Sequence, residues 1–155
     1  MTIIVWDGVT LATDTEAYHG NSKYNTEKAW YEIAKDYSRC IVSGVGTLRS
    51  IHIHKRWFLN GGKAKDFPLA ELGNHYYQFI VVTKEGLYRY EGTPDPILYG
   101  NTKCAFGEGS DFAYGALAMN ATSAQAVRAC LKYSSRAGGG LKTYSLKGET
   151  NDKER

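Results

Sequence analysis

Two short runs of β-branched and apolar residues, residues 2–6 (Thr-Ile-Ile-Val-Trp) and 9–13 (Val-Thr-Leu-Ala-Thr), flank the pair Asp7-Gly8. Asp-Gly between such runs is a strong local signal for a tight β-hairpin, so the chain commits to antiparallel pairing from its first residues. Residues 14–27 are polar and rich in Gly, Asn and Ser, and read as a loop or a loosely paired strand. Lys28-Ala29-Trp30-Tyr31 reads as a short strand, and Asp36 to Arg39 as a turn into a buried strand, Cys40-Ile41-Val42-Ser43, that ends at Gly44-Val45-Gly46-Thr47. Leu48, Ile51, Trp57, Phe58 and Leu59 then fit one face of a helix over 48–59, closed by Asn60-Gly61-Gly62. Residues 63–74, with Pro68 and Gly73, read as a loop with a short helix, and residues 76–90 as a second hairpin about Lys84-Glu85-Gly86. Residues 97–99 and 103–106 are short strands, residues 112–119 an Ala-rich helix, and residues 141–146 an alternating last strand. Thr122-Ser123 is placed to cap a further helix over 124–133. Strands and helices segregated in this way argue for an α+β fold with layered packing, against a doubly wound parallel sheet.

At 155 residues, with 43% hydrophobic and 23% charged, the chain fits one globular domain over 1–146. The charged tail 147–155 is expected to be a disordered, solvated end. The longest apolar runs, such as Phe79-Ile80-Val81-Val82, fall far short of the ~20 residues that a membrane span needs. MTIIVWDG lacks the basic and long apolar regions of a signal peptide, so the expected location is the cytoplasm. A net charge of +3 gives no case for nucleic acid. Cys40, Cys104 and Cys130 are odd in number and widely spaced, which reads as reduced apolar residues rather than disulfides or a zinc knuckle. Twelve Tyr residues fit either subunit interfaces or half-buried sheet positions.

Several residue sets bear on chemistry. Thr2 follows Met1, which is normally trimmed before a small residue. A terminal Thr carries a hydroxyl nucleophile and an amine base on one residue, and an α-amino group of pKa ~7.7–8.0 is partly unprotonated near neutrality. A buried Lys28 anchored by Asp14 would favour deprotonation of a neighbouring hydroxyl. The Gly44-Val45-Gly46 turn would present a bare N–H to a developing oxyanion. Each residue alone has a plainer reading: an inconsequential second residue, a turn aspartate, a solvated lysine, glycines kept for conformation. His52-Ile53-His54 lies in the helical segment, where an i,i+2 pair diverges, so surface histidines are expected rather than a zinc site. Gly107-Glu108-Gly109 opens a helix, but Glu108 and Asp111 would repel a phosphate there. No cofactor and no metal is therefore expected.

Taken in order, these pieces resemble the proteasome β-type and HslV-like N-terminal nucleophile (Ntn) hydrolases. The resemblance rests on the opening Thr-Ile-Ile-Val, the strand Gly8-Val9-Thr10-Leu11-Ala12-Thr13-Asp14-Thr15, the Lys segment Asn25-Thr26-Glu27-Lys28-Ala29-Trp30, and the 40–47 strand and turn. Ala105-Phe106-Gly107-Glu108-Gly109, Ser123-Ala124-Gln125-Ala126-Val127 and Gly138-Gly139-Gly140-Leu141 continue it, so that it spans nearly residues 2–146. It implies a four-layer αββα sandwich and a threonine-type amide hydrolase acting on a peptide or protein. Within it Thr2 corresponds to the nucleophile and base, Asp14 and Lys28 to the Asp–Lys pair, and Gly46 to the oxyanion donor, with Gly44 as the fallback. Glu108 stands where the family has Ser, and Ser135 where proteasome subunits have an orienting Asp; Glu108 either takes over that orienting role or spoils the base. The resemblance further implies a homo-oligomeric ring or stack, with an ATPase as a candidate partner. A catalytically silent assembly subunit is the competing reading.

Overall fold

The computed structural model describes residues 2–147. In chain order its elements are β1 (Ile3–Trp6), β2 (Leu11–Asp14), β3 (Glu16–His19), β4 (Ser22–Asn25), β5 (Ala29–Ile33), β6 (Arg39–Gly46) and α1 (Leu48–Leu59). There follow a 3-10 turn (Ala64–Asp66), α2 (Leu69–Leu72), β7 (Tyr77–Thr83), β8 (Gly86–Tyr90), β9 (Ile97–Gly100), β10 (Cys104–Gly107), α3 (Ser110–Ala118), α4 (Ser123–Tyr133) and β11 (Leu141–Tyr144). They divide into two compact units, one formed by the chain up to Lys28 and from Asn101 onward, the other by Ala29–Gly100.

In the first unit, β1 and β2 form the hairpin expected about Asp7-Gly8, with Val5 opposite Ala12 and Trp6 opposite Leu11. Asp7 Oδ1 accepts the Val9 and Thr10 N–H groups at 3.0 and 2.8 Å, and its Oδ2 accepts the Ser123 N–H at 2.9 Å. Burial opposes ionisation of Asp7, but these donors outweigh it and lower the carboxyl pKa. β10 and β11 join the outer sides of the hairpin, and the antiparallel order is β10-β1-β2-β11. Strand alternation puts Ile3, Val5, Ala12 and Ala105 in one cluster with Ala113 and Leu117 of α3 and Ala126, Val127 and Cys130 of α4. The expected cap is a full capping box. Thr122 Oγ1 accepts the Gln125 N–H at 3.1 Å while Gln125 Oε1 accepts the Thr122 N–H at 2.9 Å. Residues 16–25 are a regular two-stranded hairpin, with Glu16 opposite Asn25. Every residue of β4 is exposed, so no apolar alternation marks it in the sequence.

In the second unit the strands run β5-β6-β7-β8-β9, each antiparallel to its neighbour. Cys40 and Val42 of β6 and Tyr77, Phe79 and Val81 of β7 cluster with Ile51, Ile53 and Trp57 of α1. The span of α1 matches the expected 48–59, but its buried face does not. Leu48 is exposed, and His54 is wholly buried. The expectation of two surface histidines is thus corrected for His54. It falls three residues from both Ile51 and Trp57 and enters the core among the rings of Trp57, Phe67, Tyr77, Phe79 and Tyr90. Its Nδ1 meets the Tyr77 hydroxyl at 2.7 Å. Burial pushes its pKa down to about 3. Among the described residues no helix is long and apolar enough to cross a membrane. Met1 and residues 148–155, which hold most of the charged tail, lie outside the described residues.

Candidate active site

Asp14 ends β2 and is completely buried. Its Oδ1 accepts the Ile3 N–H at 3.1 Å and the Lys28 ammonium at 2.8 Å; its Oδ2 accepts the Gly138 N–H at 3.1 Å. A carboxylate taken out of water is tolerated only when paired and hydrogen-bonded, and these three donors meet that requirement. Lys28 lies just before β5, is only 8% exposed, and also directs its Nζ to the Thr2 hydroxyl at 3.4 Å. An ammonium is a compact charge with three rotatable donors, so one Nζ can serve an aspartate and a hydroxyl at once. Such a group favours negative charge developing on the Thr2 oxygen.

Thr2 is held from the backbone side. It leads into β1, where Ile3 pairs with Gly107. Gly107 has φ +101°, and a Cβ there would stand 2.0 Å from the Thr2 carbonyl oxygen. Glycine is required at 107 by both conformation and space. The neighbouring Glu108 lies in the exposed turn between β10 and α3, and its carbonyl accepts Arg136 Nη1 at 3.4 Å. Ser135 lies in the exposed turn after α4. Cys130 is buried in the helix–sheet cluster. Burial, and then the Asp14 charge, raise the pKa of its thiol.

Thr2, Asp14 and Lys28, 26 residues apart at the extremes, are thus brought together in the first unit, where Glu108 also lies. Gly44 and Gly46 belong to the second unit, in β6, opposite Phe79 and Tyr77. Gly46 has φ +103°, and a Cβ there would lie 2.5 Å from the Tyr76 carbonyl oxygen. The sequence reading missed the two backbone donors on Asp14. Both are backbone N–H groups, which no residue type marks in a sequence.

No family model matches the chain, and no curated protein matches it in sequence. Solved structures do match. HslV from Trypanosoma brucei is similar at 15% identity and TM-score 0.65, over 93% of this chain and 98% of that one. A Gly-1 mutant of Anbu from Hyphomicrobium sp. strain MC1 is similar at 12% identity and TM-score 0.67, over 94% and 82%. BPH from Thiobacillus denitrificans, solved in complex with epoxomicin, is similar at 16% identity and TM-score 0.59, over 94% and 98%. At these identities the likeness is one of fold. The chain has the α+β, proteasome-type fold of the Ntn hydrolases, as the resemblance implied.

Proposed function

We propose that the protein is a threonine-type amide hydrolase, most simply a peptidase, whose nucleophile is Thr2 once Met1 has been removed. One observation carries the reading. The buried Lys28 Nζ lies 2.8 Å from Asp14 Oδ1 and 3.4 Å from Thr2 Oγ1, which is the constellation an activated hydroxyl requires. Support also comes from the proteasome-type fold shared with HslV and BPH.

In this reading the freed Thr2 amine takes the hydroxyl proton as the Thr2 oxygen attacks the amide carbonyl. Lys28 stabilises the charge on that oxygen, and Asp14 holds Lys28 in place. Collapse of the intermediate breaks the C–N bond and transfers the proton to the departing amine. Water then attacks the Thr2 ester, releases the acid and restores the hydroxyl. Glu108, beside Gly107, would act on the orientation of Thr2. The reading carries with it a peptide or protein substrate, a homo-oligomeric ring, a candidate ATPase partner, and the reducing cytoplasm, in keeping with three free buried cysteines.

The test uses epoxomicin, which BPH carries in its structure, as a covalent probe, followed by intact mass and peptide mapping. Chain with Met1 removed should be labelled at Thr2 and should hydrolyse peptides. Thr2→Ala, which lacks the hydroxyl, and chain retaining Met1, which lacks the amine, should be equally inert. Thr2→Ser should keep partial activity, reduced because the lost methyl no longer restricts χ1. Normal hydrolysis by chain that retains Met1 refutes the mechanism. An inert wild type with Met1 removed gives way to the reading as a silent assembly subunit.

A further inference from the structure

We propose that Thr15 is a positioning residue, whose hydroxyl ties down the 138–140 strap so that the Gly138 N–H sets the second oxygen of Asp14. The inference deepens the hydrolase reading and rests on it for the role of Asp14. Three consecutive residues at the end of β2 and start of β3 grip the strap. Asp14 Oδ2 accepts the Gly138 N–H at 3.1 Å. The Gly138 carbonyl accepts the Thr15 and Glu16 N–H groups at 3.3 and 3.2 Å. Thr15 Oγ1 accepts the Gly140 N–H at 2.7 Å, the shortest of these contacts, and donates its own O–H to Asn25 Oδ1 at 3.1 Å. The Thr15 hydroxyl therefore has one donor role and one acceptor role, both fixed, in a residue only 7% exposed.

The strap is also tightly packed at two of its glycines. At Gly139, with φ +73°, a Cβ would stand 2.5 Å from both Asn25 Oδ1 and Thr15 Oγ1. At Gly138 it would stand 2.0 Å from the Glu16 carboxylate, which is itself held by Lys23 at 3.3 Å and Tyr18 Oη at 3.2 Å. So the backbone is pressed against Thr15, Glu16 and Asn25 with no side chain between. Asp14 Oδ1 already serves Ile3 and Lys28. The direction of the carboxylate, and with it the place of the Lys28 Nζ beside Thr2, is completed by the contact at Oδ2. Thr15 touches none of the reacting atoms and acts through that contact.

The experiment compares wild type, Thr15→Val and Thr15→Ser, all with Met1 removed, by NMR hydrogen exchange at the Gly138 amide and by steady-state peptide hydrolysis. Thr15→Val should speed exchange at Gly138 by about tenfold or more, the scale of one lost hydrogen bond, while amides of β7 in the second unit keep their rates. It should lower kcat by about the same factor with KM unchanged, and Thr15→Ser should restore both readouts. If Thr15→Val does not fold, Asn25→Ala, which leaves the hydroxyl free to rotate, should move both readouts the same way. A Gly138 amide as slow in Thr15→Val as in wild type overturns the proposal. So does a faster amide with undiminished kcat, or a Thr15→Ser no better than Thr15→Val. If wild type itself hydrolyses nothing, the hydrolase reading fails, and the exchange rates alone still decide whether Thr15 holds the strap.

Discussion

Replacing Lys28 by Met keeps an unbranched stem of about the same length and removes the ammonium, so it breaks the ion pair with Asp14. Asp14 is wholly buried and Lys28 is 8% exposed, with Nζ and Oδ1 2.8 Å apart. Removing one partner of such a pair leaves an uncompensated buried charge and costs about 3–5 kcal/mol. The Ile3 and Gly138 N–H groups still face the carboxylate, which places the expected loss at the lower end, about 3 kcal/mol. Against a total stability of about 5–15 kcal/mol that is a large fraction. Asp14→Ala orphans two backbone donors, at about 1–3 kcal/mol each, but frees Lys28 to reach water. In the double variant the Lys28 change therefore costs far less than it does alone, with a coupling of about 2 kcal/mol or more. Urea unfolding at neutral pH measures it; with a slope of about 2 kcal/mol/M, Lys28→Met should lower the midpoint by about 1.5 M. A single-variant loss below about 1 kcal/mol, or costs additive within about 0.5 kcal/mol, would refute the reasoning and show Lys28 to be solvated.

Two further predictions rest on other features. His54, with its Nε2 lacking a partner in the core and its pKa pushed down to about 3, stays neutral when folded while the unfolded chain protonates below pH ~6.5. Its contribution is full above that pH and falls by about 1.4 kcal/mol per pH unit, so about 2.7 kcal/mol is lost by pH 4.5. Urea titrations across pH 7 to 4.5 should show this slope flattened in His54→Phe, and an unchanged slope sinks the assignment. Gly107→Ala forces φ +101° on an L-residue and a Cβ 2.0 Å from the Thr2 carbonyl oxygen. It should cost about 1–3 kcal/mol by urea unfolding and abolish covalent labelling of Thr2, and labelling at the wild-type rate contradicts the packing.

The hairpin at Asp7-Gly8, the 48–59 span of α1 and the helix cap at Thr122 were legible because each is a local pattern. The turn pair, the helical spacing and the capping Thr-Ser pair each lie within a few residues of one another. The β3–β4 hairpin was not legible, since β4 is exposed throughout and shows no alternation. His54 defeated the polarity rule because the cost of burying an imidazole is offset by the Tyr77 hydroxyl and five aromatic neighbours. At the candidate site, Asp14 and Lys28 gained meaning only through resemblance, because a lone Asp and a lone Lys 14 residues apart read as solvated charges. The Gly138 donor was beyond reach for a different reason. Its bond to Asp14 joins residues 124 apart through a backbone N–H, a group that every residue but proline carries and that no side-chain pattern marks.

Because Asp14 holds Ile3 and Gly138 as well as Lys28, variants that remove the charge confound stability with activity. Lys28→Arg separates them. It keeps a cation in the place of the ammonium, so Asp14 retains a charged partner besides the Ile3 and Gly138 N–H groups. Stability should stay within about 1 kcal/mol of wild type, far from the loss expected for Lys28→Met. The guanidinium, however, is a planar fork that matches a carboxylate with two parallel donors. Turned to face Asp14 it cannot also bring a compact charge to the Thr2 oxygen, which Nζ now reaches at 3.4 Å. Loss of one such preorganised electrostatic contact typically costs about 10²–10³ in rate, so hydrolysis and labelling should fall by at least about 100-fold while the urea midpoint barely moves. Hydrolysis near the wild-type rate would mean that any cation beside Asp14 suffices and that the contact from Nζ to Thr2 has no chemical role. An arginine variant as unstable as Lys28→Met would mean that the pocket rejects the larger head group, and the inference from geometry to mechanism would then rest on the Thr2 variants.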